Sequence, residues 1–223
     1  MSSSSSLINP LVSLFQGVRQ ALLLTQPPTL TAFLPIFHGL TVSEYFVADK
    51  PHPLAIQDPD LELSTLLAFF RDEFPQPSLS SPGLWAAAPK GPMRDLTTIA
   101  IHGRLAAALS QPQSPRNLCQ LRFLVIVIIL HQLGHAIATR FQKGTISMED
   151  NAFPFYVSCR APPVMRFPEQ GFLVEEALFG GIVGVVFEDE LDSLLPPFFQ
   201  SDFTKISHLF LHCRDGRTYR LGT

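Results

Sequence analysis

Apolar residues recur at helical spacing near the start of the chain, at Leu11, Leu14, Phe15, Val18 and Leu22, and predict an amphipathic helix over 10–24. The serine run before it, Met1 to Ser6, reads as a disordered tail, and Pro27-Pro28 ends the helix. Residues 26–92 are broken by proline at QPPTL, LPIF, DKPHP, FPQPSLSSPG and APKGP, with room for one helix from Leu61 to Phe74. The stretch is expected to be irregular structure packed over the core rather than a separate domain. From Leu96 the pattern tightens. LTTIAIHGRLAAAL predicts a strand or helix start followed by a helix, and SQPQSPRN a loop. Cys119 to Phe141 predicts a long helix, apolar nearly all round in its first half and so central and buried. Lys143-Gly144 supplies a stop signal, and Thr145 to Phe167 reads as a loop. Pro168 then opens a helix, PEQGFLVEEALFGG, closed by Gly180-Gly181. IVGVVFEDE is a short apolar run turning acidic, and SHLFLHCRDGRTYRLG predicts two strands around the Asp215-Gly216 turn. These elements give a mainly α fold with a small β component, an α+β protein. Residues 1–94 form an irregular proline-rich region with one or two helices, and 95–223 form the core.

Composition narrows the functional classes. The 223 residues are 46% hydrophobic and only 16% charged, which suits a globular protein with a large interior. A net charge of −3, with no Lys/Arg run, argues against a nucleic-acid partner. The longest apolar run, Phe123 to Leu130, is shorter than the roughly 20 residues needed to cross a bilayer, so no stable membrane span is expected. The N-terminus lacks the basic and apolar regions of a secretory signal. The three cysteines, Cys119, Cys159 and Cys213, are widely spaced, which fits the cytoplasm or another reducing intracellular compartment. No G-x-S-x-G or recognisable nucleophilic cysteine is present. The sequence leaves the oligomeric state open.

The chemistry concentrates at HQLGHA. His131 and His135 lie four apart at the end of the buried helix, on one face and one turn from each other. Two imidazoles so placed can share a zinc ion at about 2.0–2.1 Å, with a third protein ligand from elsewhere and the fourth position open to water. The alternative is a pair of core histidines satisfied by ordinary hydrogen bonds. A second pair, His208 and His212, has the same spacing but falls in a predicted strand, where Ile206, His208, Phe210 and His212 share a face. It reads as structural.

The helix resembles the H-E-x-x-H helix of zinc metallopeptidases, the zincins. The segment Glu169-Gln170-Gly171-Phe172-Leu173-Val174-Glu175-Glu176-Ala177-Leu178-Phe179-Gly180-Gly181 resembles the glutamate helix of the gluzincin branch, and most closely that of short gluzincin-like proteins of fungi. The likeness covers roughly residues 95–223. It implies a zincin-like core built on an active-site helix, a glutamate helix and a C-terminal β-hairpin. It also implies zinc held by His131, His135 and Glu169, and hydrolysis of peptide or small amide-containing substrates. Glu169 and Glu176 share a helix face, and Glu175 points about a third of a turn away. Glu175 is the alternative ligand, or a partner orienting a histidine. Gly171, two residues after Glu169, permits close helix approach.

Gln132 departs from the family pattern. In hydrolytic zincins a glutamate there is the general base. An amide keeps the shape and can hydrogen-bond a water but has no useful basicity, and loss of a general base costs about 10²–10⁴-fold. Three readings stay open: a hydrolase altered at this position, a pseudo-peptidase that keeps the metal for binding or structure, and a zinc Lewis-acid enzyme whose base comes from Glu175 or Tyr156.

Overall fold

The computed structural model describes residues 3–25, 28–37, 59–80, 86–87, 97–141, 170–188, 202–213 and 215–222. The expected stop at Lys143-Gly144, the loop carrying Tyr156 and Cys159, and Glu169 lie outside them.

The elements in chain order are α1 (Ser3–Leu24), α2 (Pro28–Thr31), α3 (Leu34–Phe37), α4 (Pro59–Asp72), β1 (Gln76–Ser80), β2 (Ala86–Ala87), β3 (Thr98–His102), α5 (Gly103–Ser110), α6 (Pro115–Phe141), α7 (Gln170–Phe179), β4 (Ile182–Phe187), β5 (Ile206–His212) and β6 (Thr218–Leu221). The fold is α+β: helices with two small three-stranded sheets.

Helix α6 is the axis. Ser114 caps it, its Oγ accepting from Asn117 N–H at 3.2 Å, and Pro115 takes the first turn, where a missing N–H costs nothing. The helix therefore starts earlier than Cys119, because SQPQSPRN holds a cap rather than only a loop. From Leu124 to Ala138 nearly every side chain is buried. Among the described residues α6 is the one helix long and apolar enough to cross a membrane, and 83% of its apolar window is enclosed by the fold. Its neighbours include α1, α3, α5, α7, β4 and β5.

One continuous core runs from Leu11, Phe15 and Leu22 of α1 through Leu66 and Phe70 of α4, Ile99 and Ile101 of β3, and Ile128 and Leu133 of α6, to Val185 and Leu209. Helix α1 begins at Ser3, not near residue 10, with Pro10 inside it. Serine costs a helix about 0.7 kcal/mol or less per residue, whereas Pro10 lacks the N–H that would bond to the carbonyl of Ser6, so Pro10 is the costliest position in this extension. The proline-rich region is also more regular than its composition suggests, containing α2, α3, α4, β1 and β2. Strand β1 pairs in parallel with β3, and β2 pairs antiparallel on the other side of β3. Among the described residues β1 is an edge strand, where Pro77 is tolerated. Two arginines tie distant elements together. Arg19 of α1 donates to the carbonyls of Phe70 and Arg71 at the end of α4, the first at 3.0 Å. Arg140 of α6 grips Glu73 at 2.8 and 3.1 Å.

The second sheet has the order β4-β5-β6, antiparallel throughout. It supplies the expected pair of strands around Asp215-Gly216, with Gly216 at φ 81°. Gly184 lies under the Phe210 ring, where a Cβ would come within 2.1 Å of it. Gly180, at φ 76°, ends α7 in the left-handed conformation that favours glycine and turns the chain into β4.

Candidate metal centre

Helix α6 carries His131 and His135, and α7 packs directly against them. The contact is close because Gly171 faces the His131 ring: a Cβ there would lie 2.2–2.3 Å from three ring atoms. One residue on, Phe172 meets the same ring edge to face at 5.1 Å between centroids. One turn further along α7, Glu175 is fully buried and places Oε1 2.7 Å from His131 Nδ1. Its Oε2 accepts from the backbone N–H of Val183, at the start of β4, at 2.9 Å. Both carboxylate oxygens are therefore engaged, on the Nδ1 side of His131.

The other edge of the His131 ring looks toward His135, with the two Nε2 atoms 3.2 Å apart. Two nitrogens each about 2.0–2.1 Å from a tetrahedral zinc ion stand about 3.3–3.4 Å apart. The observed spacing matches that requirement, and it equally serves an N–H···N bond when one ring carries its proton on Nε2. Nearly complete burial, 1% exposure for His131 and 8% for His135, keeps bulk water from competing for the nitrogens. The donor set fits a borderline-soft dication: two imidazoles, one backed on its far nitrogen by a carboxylate.

Among the described residues no group of three His, Cys, Asp or Glu side chains converges on one point. Glu169, the third ligand that the zincin resemblance implies, is outside them. Glu175 stands where a carboxylate orients a histidine, not where it would join His131 Nε2 and His135 Nε2 around one ion. Gln132 is buried beside the pair, at 4% exposure, and Glu176 is half-buried on α7.

The second histidine pair is engaged locally. His208 Nδ1 lies 3.2 Å from Ser207 Oγ, and His212 Nδ1 lies 3.0 Å from Thr218 Oγ1 across the hairpin. Burial, then the Arg220 guanidinium, hold His208 below the usual imidazole range.

Two features of the centre went unread in the sequence. Phe172 lies three residues before Glu175, hence on the same side of α7, and that spacing was a usable signal. The Val183 amide had none, since a backbone donor carries no residue type. His102 was also missed: its Nδ1 accepts from Arg104 N–H at 3.1 Å and caps α5.

No family model, curated protein or solved structure matches the chain.

Proposed function

We propose that the chain is a zincin-like zinc metallopeptidase-like protein, in which His131, His135 and Glu169 hold one zinc ion beside a site for peptide or small amide-containing substrates. The observation that carries this reading is the pair of Nε2 atoms 3.2 Å apart on one buried helix, with a carboxylate on the far nitrogen of the first ring. When bound, zinc supplies Lewis acidity that polarises an amide carbonyl and makes water a better nucleophile near neutral pH. Glu175 fixes the His131 ring, and Gly171 lets α7 come near enough for it to do so. Gln132 can orient a water through its amide but cannot take a proton from it. The peptidase chemistry is accordingly weakened or diverted. With both Glu175 oxygens already engaged, Glu175 is poorly suited to replace the missing base.

The second reading is a non-catalytic zinc-binding pseudo-peptidase serving as a binding or structural protein. Gln132 itself favours it, since an amide in the general-base position keeps the geometry while removing the basicity. A reducing intracellular compartment suits either reading, with Cys119 and Cys213 free.

Metal analysis of the purified protein is expected to give about one zinc per chain. Restoring the base in Gln132→Glu is expected to raise peptide hydrolysis by about 10²–10⁴-fold, measured on a quenched fluorescent peptide library. A protein without zinc removes both readings. A zinc-loaded Gln132→Glu protein with no gain in hydrolysis removes the disabled-peptidase reading.

A further inference from the structure

The second sheet ends on β6, which has β5 on one side and, among the described residues, no strand on the other. Thr218, Tyr219 and Arg220 are exposed. Successive residues of an antiparallel strand turn their N–H and C=O to alternate neighbours. The Cys213 N–H donates to the Arg217 carbonyl at 2.8 Å, so Arg217 faces β5. Tyr219 and Leu221, opposite Leu211 and Leu209, face it too. Thr218 and Arg220 therefore turn their backbone donors and acceptors to the open edge. The same alternation sends the Val183 N–H of β4 away from β5, where Glu175 accepts it. Gly216 and Gly222, at φ 81° and 63°, bound the extended segment, so Thr218 and Arg220 are its outward set.

An open edge is a template for another strand unless something blunts it. The β1 edge contains Pro77. Strand β6 has no proline and pairs with β5 without a bulge. We propose that β6 pairs with β6 of a second copy of this chain, antiparallel about a two-fold axis through the Tyr219 pair, joining two three-stranded sheets into one. The occupant follows from self-complementarity. Three symmetric registers set outward groups against outward groups. With Thr218 opposite itself or Arg220 opposite itself, only one residue pair exchanges its two bonds. The second of these also sets two guanidinium groups directly opposite each other, which is destabilising. With Tyr219 opposite Tyr219, Thr218 of each copy meets Arg220 of the other, and two pairs exchange two bonds each. The Arg220 backbones then stand diagonally about 8 Å apart, a Debye length at physiological salt. Tyr219, 46% exposed in the single chain, takes the close non-hydrogen-bonded position, where cross-strand aromatic pairs are favourable. A contact this small falls short of a standard interface, so the dimer is weak and reversible. It uses no residue of the metal centre, since Glu175 meets β4 at the opposite end of the sheet order, and it stands or falls apart from the zinc reading.

Sedimentation equilibrium of the full chain tests this at protein concentrations from about 1 µM to about 1 mM. A monomer–dimer equilibrium is expected within that range. Arg220→Pro withdraws an outward N–H and leaves the bonds to β5 in place, and is expected to stay monomeric. Tyr219→Asp and Tyr219→Lys each set like charges directly opposite in this register alone. Each is expected to self-associate at least about tenfold more weakly than wild type. An equal mixture of the two sets Asp against Lys and is expected to recover association, with added salt weakening the mixed dimer. Circular dichroism checks that each variant is folded. A wild-type chain monomeric at about 1 mM overturns the proposal, including one whose edge takes up an extended peptide of another protein. A dimer that survives Arg220→Pro overturns it, and so does an Asp/Lys mixture no more associated than either variant alone.

Discussion

Replacing Gly171 by alanine tests the α6–α7 contact without exchanging any polar side chain of the site. The added Cβ would sit 2.2–2.3 Å from three atoms of the His131 ring. Carbon atoms in contact rest about 3.5–4.0 Å apart, so one partner must retreat by about 1.3 Å or more. The ring is poorly placed to move, being held by Glu175 at 2.7 Å on one nitrogen and facing His135 at 3.2 Å on the other. Helix α7 must move instead, and it carries Glu175 with it, out of hydrogen-bond reach of His131. Overpacking of this kind costs about 1–3 kcal/mol. Loss of a hydrogen bond to a charged group adds about 1.5–3 kcal/mol. A destabilisation of about 2.5–6 kcal/mol is a large share of the roughly 5–15 kcal/mol that holds a domain together. For a chain of this size it corresponds to a fall in Tm of about 5–24 °C. The internal control is Gly17, on the exposed side of α1, where an added Cβ meets nothing within 4 Å. Gly17→Ala should stabilise by about 0.4–1 kcal/mol, because alanine restricts the unfolded chain and favours the helix. Urea denaturation followed by circular dichroism reads both variants. A Gly171→Ala protein within about 0.5 kcal/mol of wild type, the range of an ordinary surface substitution, would refute the direct packing of α7 on His131.

Acidification should loosen the start of α5. Burial, then the Arg104 guanidinium, hold His102 below the ordinary imidazole value, and its Nδ1 must be unprotonated to accept from Arg104 N–H. A lowered folded value means this contribution to stability is complete above about pH 6.5, the unfolded value, and is lost as pH falls through the folded one. His102→Asn keeps a capping acceptor that does not titrate, so a flatter stability profile below that pH is expected in urea melts at stepped pH; an unchanged profile would exclude His102 as the source. Arg19→Met keeps much of the apolar stem while withdrawing the donors that reach the Phe70 and Arg71 carbonyls. It should cost about 1.5–3 kcal/mol in the same denaturation assay, the worth of charged hydrogen bonds, and a value near zero would show that water replaces the guanidinium there.

Much of the site was legible because its signals are local. The apolar run into HQLGHA defines a buried helix, and a four-residue spacing defines its face. Gly171 signals close approach, and Gly180 signals the end of α7. Glu175 was legible only as one of two roles, ligand or orienting partner, because the choice depends on which edge of His131 it meets. That is set by the packing of two helices whose contacting residues are 44 positions apart. The N-terminal region was harder for a related reason. Strand β1 is short, contains Pro77, and is a strand only through its parallel pairing with β3. Arg19 and Arg140 look like surface charges in the sequence, yet their partners lie 51–52 and 67 residues away.

The energetics of the centre separate holding from reacting. A buried carboxylate and two buried imidazoles are costly to desolvate, and a hydrocarbon trio of similar volume often folds as well or better. Their arrangement is therefore not explained by stability. It makes chemical sense as a fixed pair of nitrogens, with Glu175 and the Val183 amide setting one ring and Gly171 admitting the helix that brings Glu175 there. None of those contacts passes through the Gln132 side chain. Exchanging the residue at 132 between amide and acid alters one atom that takes part in none of those contacts. On the proposed zinc reading, the residues that would hold the metal are therefore distinct from the one that would move a proton, and the first function can persist with the second removed.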